Sequence, residues 1–420
     1  MTAGVGARPR PARGGVAFLT GAGVTQLGAN AVAALVATIV LGPAQRGVMV
    51  IGSTLAGVVA VVACLGTGAA LRSRLPPVAG PADRRRLLSS YAWWTTAAVA
   101  PAAGCAVALS LASASLVDPA MARGGFLVAV AVATAGQVLL LQTVEAWFAD
   151  GHFRRGAGAA AAAAAGGLVG LLAAAAMSGD AAVLLAAQGM GTAAVTLALL
   201  GALHRAGLLV VARPRPGDVR SLVGSGVPTL GLVVGLAVAL RADRYVLGTT
   251  GGIAAVGVYS LAATLSEIPR MVPQAMGQLF MRDSALGAGH DGLAGRLGRA
   301  TAVAAVCGAL VAAVGWFTIE PVFGAEFADA RRLLLLLVIA ETCFAAFTMA
   351  GRGLLGGGWA REAGVLGVGA SVVAVGAYLV GAGLWGSTGL AVGSIAVYAV
   401  LSTVASVLLH RKAGRRNFDE

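Results

Sequence analysis

Long apolar segments, separated by short charged or turn-forming clusters, restrict how this 420-residue chain can fold more than any other feature. Hydrophobic residues make up 58% of the sequence and charged residues only 11%, against about 25% charged residues in soluble domains. A hydrocarbon core of about 30 Å needs about 20 apolar residues per crossing helix. The sequence therefore predicts an all-α polytopic membrane protein with about twelve transmembrane helices. These lie near residues 15–41, 45–70, 91–117, 124–148, 156–177, 181–203, 221–247, 255–280, 300–320, 331–352, 363–386 and 387–409.

The formal charge of +13 is distributed unevenly along the chain. Of the 30 lysines and arginines, 23 lie in or beside segments on one predicted side of the membrane, and six lie on the other side. Arg270 lies deep in its segment. Because positive residues mark the cytoplasmic face, we expect both termini in the cytoplasm and the protein in the cytoplasmic membrane. The same distribution argues against nucleic acid as a partner.

A linker rich in arginine and proline divides the predicted helices into two groups of six. We expect a basic cytoplasmic tail, an N-terminal six-helix bundle, a cytoplasmic linker, a C-terminal six-helix bundle and a second cytoplasmic tail, over residues 1–14, 15–203, 204–220, 221–409 and 410–420 respectively.

A short internal repeat supports this division. The Leu-Gly and Gly-Val pairs at 41–42 and 47–48 recur at 247–248 and 257–258, with a turn four residues longer in the second copy. Two halves in the same orientation imply a pseudo-two-fold axis along the membrane normal. We therefore expect a central cleft between the two bundles.

The stretch 221–283 carries charged residues at depths where lipid penalises them. A charge near the middle of a bilayer costs about 2.5 to 3.5 kcal/mol on insertion scales, so such residues usually face a bundle interior, a water-filled cavity or each other. The residues concerned are Arg241, Asp243, Arg244, Glu267 and Arg270.

The spacing of these charges allows two interpretations. Arg241 and Arg244 share a helix face because they are three residues apart, and Glu267 and Arg270 repeat that spacing beside two prolines, which allow a bend. In the first interpretation the charges line a cavity of a rocking transporter. In the second, Glu267 neutralises Arg270, Asp243 pairs with an arginine, and the pairs only fix helix packing.

Polar residues in the first half are fewer. Gln26 and Asn30 lie on one face of the first helix, where they can line a cavity or form an interhelical hydrogen bond. Gln142 and Glu145 share a face near the cytoplasmic end of the fourth helix. The four cysteines lie singly in apolar runs, so we expect neither a disulfide framework nor a metal site.

Four segments together resemble the polysaccharide flippase family, within the multidrug/oligosaccharidyl-lipid/polysaccharide exporter superfamily. The turn LGPAQRGV resembles the opening of that family, and VGVYSLAATLSEIPRMVPQAM resembles it more specifically. FGAEFADA with the following leucine run resembles the start of the family's tenth helix, and the last apolar segment resembles its final helix. These segments cover 41–48, 256–276, 323–337 and 386–409, so the resemblance extends over essentially the whole chain.

The resemblance implies export of a polyprenyl-diphosphate-linked oligosaccharide by alternating access. Guanidinium groups bind phosphate bidentately, so Arg241, Arg244 and Arg270 are the candidates for the diphosphate site, with Arg46 and Arg352 as outer and inner accessories. The sugar would contact Asn30, Gln142 and Tyr259. No catalytic residue or cofactor is expected, and the coupling ion, a proton or sodium, is unknown.

Carboxylates could couple transport to an ion, because burial of a carboxylate favours its protonated form. The candidates are Asp243, Glu267 and Glu341, with Glu145 as a possible charge-pair residue. The implied partners are the lipid-linked glycan, membrane lipid, a glycan polymerase and glycosyltransferases.

Three other functions fit parts of the sequence. A drug/cation antiporter of the same superfamily would share the architecture, but a surplus of arginine suits an anion better. A membrane-bound glycan polymerase or ligase would normally need a sizeable external loop, and every predicted outer loop is short. A membrane scaffold would not need the charges at 241–270.

Overall fold

The computed structural model describes residues 13–76, 80–210, 212–285 and 292–419, and within these ranges the chain forms α-helices and three short 3₁₀ turns, with no strand. This is the all-α architecture that the sequence predicts. In chain order the helices are α1 (Arg13–Ala63), α2 (Thr67–Arg74), α3 (Pro81–Leu116), α4 (Gly124–Ala149), α5 (Phe153–Ala175), α6 (Ala181–Arg205), α7 (Pro216–Ala239), α8 (Ala242–Gly251), α9 (Ile253–Ser266), α10 (Met271–Ala285), α11 (Leu293–Phe323), α12 (Ala330–Gly356) and α13 (Ala360–Asp419).

Eight helices in the described ranges are long and apolar enough to cross a membrane, and α7 and α8 together make a ninth span. Two of the eight are too long for one crossing, since the 60 residues of α13 would extend about 90 Å, three times the hydrocarbon core. Both are interrupted, α1 at Gly42 (φ 64°, ψ 176°) and α13 at Trp385 and Gly386. With two spans each for α1 and α13, and one each for α7–α8 and α9–α10, the helices correspond to the twelve predicted segments.

The interruption in α13 is a tight hairpin. A Cβ atom added to Gly381 would overlap the carbonyl oxygen of Gly389, and one added to Gly389 would overlap the carbonyl oxygen of Gly381. In an uninterrupted helix these residues would lie about 12 Å apart. The chain therefore reverses at Gly386 (φ 57°), and the last two spans lie side by side.

Several helix ends differ from the sequence-based boundaries. α3 begins at Pro81 and α7 at Pro216, about ten and five residues before the predicted starts. Proline is favoured at the first helical position, where its missing N–H is not needed. The predicted second helix is broken before α2, where Leu65 (φ 45°) and Gly66 (φ 66°) adopt left-handed conformations.

Two glycines join the halves at the end opposite the arginine-rich loops. A Cβ on Gly47 would overlap the carbonyl oxygen of Ile253, and a Cβ on Gly257 would overlap the carbonyl oxygen of Pro43. Gly47 follows Pro43 by four residues, and Gly257 follows Ile253 by four residues. The two contacts are therefore equivalent, one from each half. We call these four residues the glycine seal. It closes one end of the interface between the halves.

The glycine seal also shows how the two halves align. Gly42 (φ 64°, ψ 176°) precedes the seal in the first half, and Gly252 (φ 81°, ψ 167°) precedes it in the second. The predicted equivalence of Gly42 with Gly248, and the four-residue insertion, are therefore wrong, because Gly248 lies inside α8. The two turns have the same length, and the pseudo-two-fold relation is closer than the sequence indicates.

Contacts at the other end of the interface involve α2 and α7. A Cβ on Gly226 would approach the carbonyl oxygens of Leu65 and Gly66 to 2.5 and 2.7 Å, and the Arg74 guanidinium donates a hydrogen bond of 2.8 Å to the Ser221 hydroxyl. The break between α1 and α2 thus places backbone carbonyls against the second half.

Candidate functional site

Two interrupted helices carry the charged residues of the second half. α7 ends at Ala239 and α8 begins at Ala242, with Arg241 in a non-helical conformation (φ −133°, ψ −16°) between them. α9 ends at Ser266, and a 3₁₀ turn over Ile268–Arg270 precedes α10. Broken spans are tolerated in membranes where the freed backbone groups find partners inside the protein. The Tyr378 hydroxyl supplies one such partner by donating 2.8 Å to the Ala239 carbonyl oxygen.

Glu267 links the two breaks. Its Oε1 accepts hydrogen bonds from Arg241 Nη1 at 3.2 Å and from Arg244 Nη2 at 3.3 Å. Asp243 accepts 2.8 Å from the backbone N–H of Arg244, at the start of α8, where the helix dipole favours a negative charge. Gly252 follows Arg244 by eight positions, about 12 Å along the helix, so these groups lie about two helical turns away from the Gly252 turn.

Arg270 pairs with α12. Its Nε donates 2.7 Å to Oε2 of Glu341, its Nη2 donates to Oε1 of the same carboxylate, and its guanidinium lies 5.0 Å from the centroid of the Phe344 ring. Glu267 and Arg270, which one interpretation of the sequence pairs, lie close enough to attract each other, but each forms its hydrogen bonds with a different partner. The contact with Glu341 is bidentate, with Nε and Nη2 of one guanidinium edge donating to the two carboxylate oxygens.

Arg46 is the exception among these charges. It lies directly before Gly47 of the glycine seal and is only 5% exposed. Its Nε has no hydrogen-bond partner, and it forms no ion pair within the described ranges. It is close enough to Arg244 for the two to repel, and Nε of Arg244 also lacks a partner. A buried charge without a counterion is costly. The two residues come from different halves, so the interface contains cationic groups that an anion would neutralise.

We define the charged cluster as Arg46, Arg241, Asp243, Arg244, Tyr259, Glu267, Arg270 and Glu341. Four guanidinium groups face three carboxylates in it, which leaves a surplus of one positive charge. The Tyr259 hydroxyl is buried beside the Asp243 carboxylate.

The other predicted site residues lie elsewhere. Gln142 is buried between Tyr91 and Thr67: the Tyr91 hydroxyl donates to its Oε1 at 2.6 Å, and its Nε2 donates to Thr67 at 2.9 Å. Glu145 forms an ion pair with Arg72. No hydrogen bond or ion pair between described residues joins either to the charged cluster.

Asn30 and Arg352 are also separate from that cluster. Asn30 is exposed on α1, and half-buried Arg352 extends beside Gly277 on α10. The structure thus brings together eight of the predicted residues and separates Asn30, Gln142, Glu145 and Arg352 from them.

Two tyrosines of this region were not predicted. Tyr378 donates a hydrogen bond to the broken end of α7, and Tyr398 packs against Phe344 with ring centroids 4.8 Å apart and ring planes tilted by 46°. Both lie in the interior of apolar segments, whereas tyrosine in membrane proteins usually lies at the interface. Their positions in the sequence could have indicated a polar region inside the protein, because a buried tyrosine hydroxyl usually has a hydrogen-bond partner.

Solved structures similar to this chain are transporters and a flippase. A MATE family multidrug transporter of the multidrug/oligosaccharidyl-lipid/polysaccharide exporter superfamily, in an inward-facing conformation, is 14% identical with a TM-score of 0.69, covering 95% of this chain and 98% of that one. The lipid II flippase MurJ, in an inward closed conformation, is 9% identical with a TM-score of 0.71, and the match covers 94% of this chain and 86% of that one. An outward-facing MATE transporter is 13% identical with a TM-score of 0.61, and the match covers 96% of this chain and 95% of that one.

These likenesses establish the class of fold. The chain has the all-α, polytopic fold of MATE transporters and of MurJ, and it is a multi-pass membrane protein by its apolar helices. No family model and no curated protein matches the sequence.

Proposed function

We propose that this protein is a transporter that moves a polyprenyl-diphosphate-linked oligosaccharide across the cytoplasmic membrane by alternating access. The observation that carries the proposal is Arg46, a buried cation that forms no ion pair within the described ranges and lies near enough to Arg244 of the other half for the two to repel. An anion that bridges the two would remove their repulsion and supply the missing hydrogen-bond acceptors.

A diphosphate suits this site better than a single carboxylate. Its two phosphoryl groups can contact guanidinium groups from both halves at once, and Arg241, Arg244 and Arg270 already lie at adjacent helix breaks. Without substrate, Glu267 and Glu341 hold three of the four guanidinium groups in place. A diphosphate carries more charge than either carboxylate and would compete with them for the arginines.

The remaining steps follow from the architecture. The lipid tail would stay in the bilayer while the two halves rock about the bound headgroup, as in transporters built from parallel repeats. Asp243 or Glu341 could carry a coupling proton, or sodium could couple transport. Glycosyltransferases would supply the substrate and a glycan polymerase would consume it.

A second candidate is a drug/cation antiporter. The likeness to MATE structures and the burial of Asp243 and Glu341, 6% and 5% exposed, favour it. The two candidates differ in the sign of the transported charge. Loss of Arg46 should weaken transport of an anion and should not weaken transport of a cation.

The test uses the full-length protein in proteoliposomes with a fluorescent, short-chain polyprenyl-diphosphate disaccharide. The fraction of label accessible to a membrane-impermeant reductant reports flipping. A hydrogen bond to a charged group contributes about 1.5 to 3 kcal/mol, so Arg46→Gln should weaken apparent affinity about 10- to 100-fold. The control is Arg123→Gln, which removes an exposed charge from a loop.

Two results would reject the anion proposal. One is normal flipping by Arg46→Gln at limiting substrate. The other is efflux of a cationic dye by the wild-type protein that Asp243→Asn abolishes, together with no flipping of the disaccharide.

A further inference from the structure

A groove lies between α5 and α6 at the arginine-rich end of the first half, apart from the charged cluster. Its volume is about 450 Å³. Its lining includes Trp147, Arg155, Ala159, Leu199, Ala202 and Arg205. The floor and walls are apolar, and the two arginines are at the mouth.

The two helices touch farther along, and near the groove α5 carries only short side chains. A Cβ on Gly191 would overlap the carbonyl oxygen of Gly166, and a Cβ on Gly170 would overlap that of Ala187, so the backbones touch there. From Gly166 back to Arg155, α5 runs about 16 Å through a stretch of glycine and alanine. These side chains are too short to fill the groove.

The charges at the mouth have no protein counterions. Arg155 and Arg205 are both exposed, and neither forms an ion pair within the described ranges. Their neighbours differ in this respect, since Arg72 pairs with Glu145 and Arg84 with Asp150. The Arg155 guanidinium lies 5.3 Å from the centroid of a Trp147 ring, which orients it over the groove.

We propose that this groove binds an anionic glycerophospholipid. The headgroup phosphate lies between Arg155 and Arg205, and one acyl chain follows the alanine-rich wall toward the crossing of α5 and α6. Basic pockets between transmembrane helices on the inner side of a membrane recognise such headgroups. The apolar depth of the groove selects a lipid over a free phosphate, which would leave the walls uncovered. The site is independent of the transported substrate.

The experiment is native mass spectrometry of the purified full-length protein with added dioleoyl phosphatidylglycerol, and with dioleoyl phosphatidylcholine as the zwitterionic comparison. Each basic residue at an anionic surface contributes about fivefold in affinity, so Arg155→Gln with Arg205→Gln should reduce phosphatidylglycerol binding about 30-fold. Phosphatidylcholine binding should change little. The matched control, Arg215→Gln with Arg220→Gln, removes two exposed arginines from the same face and should keep the lipid.

A third variant separates the groove from surface charge. Ala202→Phe fills the apolar part while both arginines remain, and it should lose the lipid with an unchanged melting temperature. Equal losses in the two double variants would overturn the proposal, as would full binding by Ala202→Phe. Displacement of phosphatidylglycerol by an equimolar amount of inorganic phosphate would overturn the assignment to a lipid.

Discussion

The buried pair of Arg270 and Glu341 gives the sharpest test of whether the charged cluster stabilises the fold or serves transport. The two side chains are 9% and 6% exposed and share two hydrogen bonds. Glu341→Gln keeps the shape of the side chain and removes its charge. The amide oxygen could still accept one hydrogen bond from Arg270, but the buried guanidinium would lose the charge of its bidentate partner. Breaking one side of a buried pair costs about 3 to 5 kcal/mol.

A matched control is available on the surface. Arg331 and Glu320 form an ion pair at 2.5 Å in which Glu320 is 44% exposed. Such pairs contribute about 0 to 1 kcal/mol, so Glu320→Gln should be nearly neutral. The measurement is unfolding in mixed micelles by titration with a denaturing detergent, followed by tryptophan fluorescence.

The double variant Arg270→Met with Glu341→Leu removes both charges. Replacement of a buried ion pair by apolar residues is often neutral or stabilising, so we expect most of the lost stability to return. Flipping should not return, because Arg270 is a proposed ligand of the diphosphate. A double variant as unstable as Glu341→Gln would refute the electrostatic reasoning, and a stable double variant that flips normally would make the pair purely structural.

Three further outcomes follow from other parts of the structure. Gly47→Val should prevent closure of the glycine seal, because its side chain would overlap the carbonyl of Ile253; we expect faster labelling of a cysteine placed beside the seal, and unchanged labelling would contradict this. Gln142→Leu should lower stability by about 0.5 to 1.5 kcal/mol, since it removes the side-chain hydrogen bonds to Tyr91 and Thr67 while both hydroxyls keep a backbone carbonyl acceptor, and affinity for the diphosphate substrate should stay the same; a selective loss of affinity would restore Gln142 to the substrate site. Reporter fusions after Gly217 and after Gly414 should both give cytoplasmic signals, and an external signal from either would reverse the topology.

The sequence was sufficient for the helices because lipid imposes one length and one polarity on every crossing segment. It also located the residues of the charged cluster, since an arginine such as Arg244 inside an apolar run is expected to face other charges, a cavity or a bundle interior. It placed the helix breaks less well. Pro269 indicated the interruption in the eighth span, but nothing comparable precedes Arg241, whose break is held by Tyr378 from more than a hundred residues away.

The sequence does not show which charged or polar residues form hydrogen bonds with each other. Glu267 and Arg270 have the spacing of a helical pair, yet the 3₁₀ turn and the approach of α12 give Arg270 a partner 71 residues distant. For Gln142 the sequence does not choose between two roles. A glutamine in an apolar helix can line a cavity, or it can form hydrogen bonds that bridge two helices. Only the packing of α2, α3 and α4 places it between Tyr91 and Thr67.

The order of two neighbouring residues has a thermodynamic consequence. Gly47 contacts the Ile253 carbonyl across the interface, and Arg46, directly before it, lies near enough to Arg244 for the two to repel in the same arrangement. Under the proposed function, closure would bring these like charges together, and an anion between them would remove the penalty. Linkage is reciprocal: whatever factor the bound anion contributes to closure, closure contributes to anion affinity. A variant that cannot close should bind the anion more weakly by that factor, although Gly47 itself has no side chain with which to touch it.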